Sequence, residues 1–304
     1  MGLREARLAR ALSGRRALVI GASGLVGGAL LRQLGSGAVG TFHTRARPGL
    51  RPLDAGDRRA VDALIAAVAP EVIYFPAANP NVDWCERDPA AAEAANLGPL
   101  RATLEAAAGI PVVAYSSDYV FDGHAGPYRE TDRVAPLSVY GRLKVDLEEL
   151  VLAAGGTVIR PTWVFGSEPE PAKNFVLRLV ASLRRGEAAR LPNDQVATPT
   201  DADDLARASL RIAGLDGSAG RGIWHVVGPD RLARDVFGRI VAEVFGLDPA
   251  LISGVPTAEL GQAAARPLDG GLLCERYRSH FGTSPVRPVR AALAELRAQR
   301  AVTA

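Results

Sequence analysis

The feature that most constrains this chain is a rhythm. Short apolar runs, each too brief to be a buried helix, alternate with stretches long enough to form one. Ala17 to Ile20 is the first such run and ends at glycines, after which Val26 to Leu34 has the spacing of a helix. Further strands are predicted at Ala38 to Phe42, near Leu53, and at Val72 to Phe75, Val112 to Ser116 and Val158 to Arg160. Helices are predicted between them over Arg58 to Val68, Pro89 to Ala108 and Tyr140 to Ala153, and the polar opening from Met1 to Arg16 also reads as helical. Strands that alternate with helices at this spacing must be joined by crossovers, so the sheet is parallel and covered on both faces.

The second half breaks the rhythm. It offers helices at Phe175 to Arg185, Asp201 to Ala213, Ala233 to Phe245 and Val286 to Arg300, a strand at Gly222 to Val227, and a Pro-containing segment at Pro192 to Pro199. The expected fold class is therefore α/β: a Rossmann-type doubly wound parallel sheet with a smaller C-terminal α/β substrate-binding domain. The boundaries expected are 1–165, with 196–227 returning to it, for the nucleotide-binding domain, and 166–195 with 228–304 for the smaller one.

At 304 residues, 48% of them apolar, the chain has ample material for a core. The 36 basic and 33 acidic residues are interspersed, which argues against nucleic acid as a partner. Cys85 and Cys274 are isolated, and the four histidines have no ligand spacing, so neither a disulfide framework nor a metal site is expected. No apolar run approaches the ~18 residues of a membrane span, which leaves a reducing cytoplasm as the expected location.

Gly21-Ala-Ser23-Gly24-Leu25-Val26-Gly27 lies between a predicted strand and a predicted helix, the context in which a glycine fingerprint binds a dinucleotide. The glycines serve a tight turn, close approach to a pyrophosphate and helix-to-strand packing, and the helix N-terminus offers amides to the phosphates. At the end of the second strand, His43, Thr44 and Arg45, with Arg47 beyond, stand where NAD-binding chains place a carboxylate. That favours NADP(H), with NAD(H) the alternative; a solvated basic loop reads the same way. Asp54 suits either a cap on the adenine amino group or a turn. Ala77, Ala78 and Asn79 follow the fourth strand, where small residues let backbone lie along a cofactor.

Tyr140 and Lys144 are four residues apart, hence one turn apart on one helix face. A free phenol has a pKa of about 10, and a neighbouring ammonium favours its ionisation. Ser116, Ser117, Asp118 and Tyr119 follow the fifth strand, at the sheet edge where parallel α/β proteins bind ligands. A hydroxyl there can polarise a carbonyl while Tyr140 transfers a proton. The Pro-containing loop from Asp122 to Pro136 suits either a substrate-side lid or a plain connection.

These residues together resemble the extended short-chain dehydrogenases, and within them the dTDP-4-dehydrorhamnose reductases and their relatives. The likeness runs from about Arg16 to Gly282. It is carried by Gly21 to Gly27, Ala77 to Glu86, Ser116 to Gly123, Tyr140 to Lys144, Arg160 to Gly166, Asn174-Phe175, Asp194 to Thr200 and Arg266-Pro267. It implies hydride transfer from NADPH to a keto group of a nucleotide-activated deoxysugar, with Tyr140 as proton donor, Ser117 as the catalytic hydroxyl and Lys144 on the nicotinamide ribose. Asn96 matches the asparagine of the relay, although a plain mid-helix Asn looks the same. Asp118, Tyr119, Phe121, Trp163, Asn174, Gln195 and Arg266 are implied on the substrate side, and the family often forms dimers.

The pattern departs at two positions: Ser117 where Thr is usual, and Gly270 where Ser usually follows Arg-Pro by three residues. Dehydratases of this group resemble Thr-Asp-Glu at their site; Tyr119 in place of the second acid counts against elimination. Another nucleotide-sugar epimerase or dehydratase, or a small-carbonyl reductase, is one rival expectation; the regulatory subunit of methionine adenosyltransferase is also similar to this family, which keeps a non-catalytic NADP-binding role as the other.

Overall fold

The computed structural model describes residues 15–302. Its centre is a seven-stranded sheet built from β1 (Ala17–Val19), β2 (Ala38–Phe42), β3 (Arg51–Pro52), β4 (Val72–Phe75), β5 (Val112–Tyr115), β6 (Thr157–Arg160) and β7 (Gly222–His225). Their order is β7-β6-β5-β4-β1-β2-β3, and every neighbouring pair is parallel. The order reverses between β1 and β4, which opens a crevice at their carboxyl ends.

Alternation along each strand decides what covers the sheet. Ala17, Val19, Val72, Tyr74, Val113 and Ile159 face one layer, while Leu18, Ile73, Phe75, Val112, Ala114 and Val158 face the other. On the first face lie α1 (Leu25–Leu34), α7 (Ala202–Ala213) and α9 (Glu275–Phe281); on the second lie α2 (Arg58–Val68), α4 (Pro89–Ala107) and α5 (Val139–Ala153). The central strands β1, β4, β5 and β6 thus present apolar side chains to both layers, which is why these runs read as continuously hydrophobic.

A third core is separate from both. Phe165 joins α6 (Phe175–Arg184), α8 (Arg234–Phe245), Ile252 and α10 (Val289–Val302) around Phe237, Val241 and Leu293.

Two α-helices escaped the sequence reading, the short α3 (Val82–Arg87) and α9, as did the short strands outside the central sheet, such as Ala189–Pro192 and Ile252–Val255. Both helices are shorter than two and a half turns, too short for periodicity to register. The expected helical opening over Met1 to Arg16 lies outside the described residues except for Arg15 and Arg16, which are not helical. Among the described residues, no helix is long and apolar enough to cross a membrane.

Candidate active site

The crevice at the strand-order reversal is lined on one side by backbone. Gly21 adopts φ +95°, and its amide and that of Ala22 bond the Oγ1 (3.3 Å) and carbonyl (2.8 Å) of Thr41 on β2. Gly24 caps α1 with extended backbone and no side-chain hydrogen bond, so no side chain caps the amides of Leu25, Val26 and Gly27. A Cβ on Gly27 would stand 2.4 Å from the Gly21 carbonyl oxygen, and one on Gly21 would stand 2.8 Å from Cα of Ala77. Side chains cannot enter this turn. An unblocked helix N-terminus and a cradle closed to any Cβ fit the diphosphate of a dinucleotide, and half-buried Ser23 lies within the turn.

At the end of β2, His43 and Thr44 are exposed and Arg45 is half-buried, with no ion pair to any described residue. Arg47 is committed elsewhere: it donates to the carbonyls of Glu170 (3.2 Å) and Pro169 (3.5 Å). Asp54 is exposed and accepts the Gly56 amide at 2.9 Å, the work of a turn former.

Beyond β4, the Asn79 amide donates to Oδ1 of buried Asn96 (2.9 Å), whose Nδ2 donates to the Ala92 carbonyl (2.9 Å). Asn96 therefore fixes the loop of Ala77, Ala78 and Asn79 from within α4, and both ends of its side chain are engaged there. The stretch that follows links the parts of the site. Asp83 pairs with Arg266 at 2.9 Å and accepts the Ala264 amide at 3.0 Å, and Glu86 accepts the Val139 amide at the start of α5 at 2.9 Å.

Tyr140 and Lys144 are both buried on α5, and the Lys144 Nζ lies 5.6 Å from the Tyr140 ring centre. The ammonium donates to the Tyr115 carbonyl at the end of β5, at 2.8 Å. A Cβ on Gly141 would sit 2.3 Å from the Tyr119 carbonyl, so this glycine is what lets the helix approach the turn after β5. The Tyr119 ring meets the Tyr140 ring edge-on at 5.5 Å. Ser117 Oγ donates to Asp118 Oδ1 at 2.9 Å.

Burial dominates the titration of this cluster. It pushes the Tyr140 phenol well up, reinforced by Tyr119 and Asp118, while the neighbouring Ser117 hydroxyl works the other way. Among the described residues Lys144 makes no hydrogen bond to the phenol, its ammonium donating to the Tyr115 carbonyl, so it acts on Tyr140 only through its charge. Burial pulls Lys144 down to about 8, against the pull of Glu148, and lifts the Asp118 carboxyl to about 6. The arrangement keeps the phenol in its protonated form, beside a hydroxyl that can orient an oxygen.

The substrate-side expectations divide. Trp163 is half-buried with φ +38°, a left-handed conformation that costs a bulky residue about 1–3 kcal/mol and points to a functional constraint. Phe121 is fully buried, stacked 4.2 Å from Tyr128 and beside Arg160, and packs in the core. Asn174 caps α6 and donates to Gly166 and Glu168, which occupies its side chain structurally. Gln195 is buried and donates to Thr257 and Gln262, both at 3.0 Å. The loop from Asp122 to Pro136 is bound to the segment of 267–273 through pairs such as Gly126 to Asp269 (3.0 Å) and Tyr128 to Gly271 (2.9 Å), the geometry of a connection. Gly270 lies in that segment, its amide on Val196 and its carbonyl on Arg231.

Arg234, at the start of α8, is the residue the sequence reading missed. Its guanidinium carbon is 3.7 Å from the Trp163 ring centre and 4.4 Å from that of Phe175. Burial lowers it to about 10, while the charges of Tyr119 and Asp118 hold it up. No local pattern marks an arginine as belonging to a cleft.

The comparisons with known proteins bear on this geometry. The model of a family described as the RmlD substrate binding domain matches residues 15–301. A dTDP-4-dehydrorhamnose reductase from Sinorhizobium fredii is 34% identical over 79% of this chain and 83% of its own length. Methionine adenosyltransferase 2 subunit beta from Danio rerio is 30% identical over 86% of this chain and 84% of its own length. The crystal structure of a dTDP-4-dehydrorhamnose reductase from Clostridium acetobutylicum superposes with a TM-score of 0.80 at 26% identity, covering 94% of this chain and 99% of that one.

Proposed function

The chain belongs to the RmlD substrate binding domain family, and we propose that it is an oxidoreductase that uses NADPH to reduce a keto group on a nucleotide-activated deoxysugar. The observation that carries the reading is the meeting of three parts at one edge of the sheet. The glycine turn of 21–27, the hydroxyl of Ser117 and the Tyr140–Lys144 pair share the crevice opened by the strand reversal.

NADPH, when bound, supplies the hydride. Tyr140 gives its proton to the oxygen that becomes negative as the carbonyl carbon is reduced, and Ser117 holds that oxygen. A phenol kept neutral by burial suits this direction, because it starts as the acid. Lys144 and the Tyr115 carbonyl fix the floor beneath the phenol. Arg45 is the candidate for the 2′-phosphate, and Trp163 and Tyr119 form the wall on the sugar side. In this reading the third core, around Phe237, is the substrate lobe.

The test is absorbance-monitored oxidation of NADPH with dTDP-4-keto-6-deoxyglucose, alone and with a 3,5-epimerase, followed by chromatography of the sugar. The expected outcome is one reduced sugar per NADPH consumed. Tight NADPH binding without turnover on any keto sugar would instead favour a non-catalytic role, in keeping with the likeness to methionine adenosyltransferase 2 subunit beta.

A further inference from the structure

We infer that Arg234 is the diphosphate receptor of the substrate site, a specificity-determining residue that recognises the substrate as a nucleoside diphosphate; this rests on the function proposed above. The cleft gathers four cations, Arg231 and Arg234 from one stretch of chain and Lys144 and Arg266 from distant ones, and three are already satisfied. Lys144 donates to the Tyr115 carbonyl, Arg266 pairs with Asp83, and Arg231 pairs with Asp269. Arg234 alone among these donates no side-chain hydrogen bond to a described residue, although its flat face is held between Trp163 and Phe175.

Such a clamp orients the guanidinium without using any of its five N–H donors. A partly buried cation needs a counter-charge, and the carboxylate whose charge reaches it, Asp118, is already engaged by Ser117 and displaced toward its neutral form. The missing partner is therefore an acceptor brought from outside. The hydroxyls of a sugar are neutral and offer no compensation. The diphosphate is the anionic part of a nucleotide sugar, and its oxygens match the planar fork in a way that a point charge does not.

The placement also couples recognition to chemistry. Arg234 stacks on the strained Trp163 and acts electrostatically on Tyr119 and Asp118, neighbours of Ser117, so a diphosphate seated there would register the sugar against the phenol.

The experiment is calorimetric titration of dTDP and of UDP into the NADPH complex of the native protein and of the variants Arg234→Met and Arg234→Lys. Arg234→Met keeps the stem on the aromatic rings, and Arg234→Lys keeps the charge but not the fork. Both variants are expected to bind dTDP about 10- to 100-fold more weakly, with an unchanged Kd for NADPH as the sign of an intact fold. Unchanged dTDP affinity in both variants would overturn the inference, as would a raised KM for the keto sugar with dTDP affinity intact, since the arginine would then read the sugar. A native protein that reduces small ketones but takes neither nucleotide would overturn the proposed function instead, and the inference with it.

Discussion

The two ends of the crevice are made of different material. The nucleotide end is backbone: a glycine turn bonded to Thr41, an uncapped helix terminus and a cradle closed to any Cβ. The sugar end is side chain, with Ser117, Tyr140, Trp163 and Arg234 arriving from four separate elements and held by pairs such as Asp83 with Arg266. A cradle of backbone is indifferent to most neighbouring side chains and intolerant of one added carbon. A wall of side chains can be changed one residue at a time without losing the cradle.

Tyr140→Phe should break the chemistry and nothing else. The ring stays in its buried place beside Tyr119, while loss of the proton donor should lower kcat by about 10²- to 10⁴-fold. NADPH affinity measured by fluorescence should stay within about twofold, and near-native turnover would remove Tyr140 from the mechanism.

Gly27→Val should do the reverse, striking the cradle and leaving the sugar wall in place. The added carbons collide with the Gly21 carbonyl, so NADPH binding should largely disappear and stability should fall by about 1–3 kcal/mol, read from denaturant unfolding.

A finer division is expected within the basic loop. Arg45→Ala should weaken NADPH about tenfold while sparing NADH, because Arg45 has no counter-ion among the described residues. Arg47→Ala should alter both cofactors alike, since Arg47 holds the carbonyls of Pro169 and Glu170. Equal selectivity losses in the two variants would erase that distinction.

A further expectation concerns pH. Burial lowers Lys144 from 10.5 to about 8, so between those values the unfolded chain binds more protons than the folded one, and this group's contribution to stability increases with pH. The melting temperature of Lys144→Met relative to the native protein should therefore shift in the variant's disfavour from pH 8 to pH 10. A constant difference would mean that Lys144 is not desolvated.

The structure adds direction to the expectations at the sugar end. Phe121, Asn174 and Gln195 stand in stretches that match the family, and their side chains lie in the core, a helix cap and a buried amide pair. Residue type and spacing state what a side chain can do, and only its direction states to whom. Asn96 shows the same on the other side, where an amide that could join a relay instead ties α4 to Asn79.

What the sequence determined by itself is the α/β alternation, the parallel sheet, the glycine turn and the one-turn spacing of Tyr140 and Lys144. All of these follow from short-range rules: alternation within a strand, spacing along a helix, and the absence of a Cβ. What only the tertiary structure decided is the pairing of Asp83 with Arg266, the lack of a side-chain hydrogen bond from Arg234 to any described residue, and the diversion of Arg47. These depend on which segments, up to 183 residues apart in the case of Asp83 and Arg266, come to share one low-dielectric cleft.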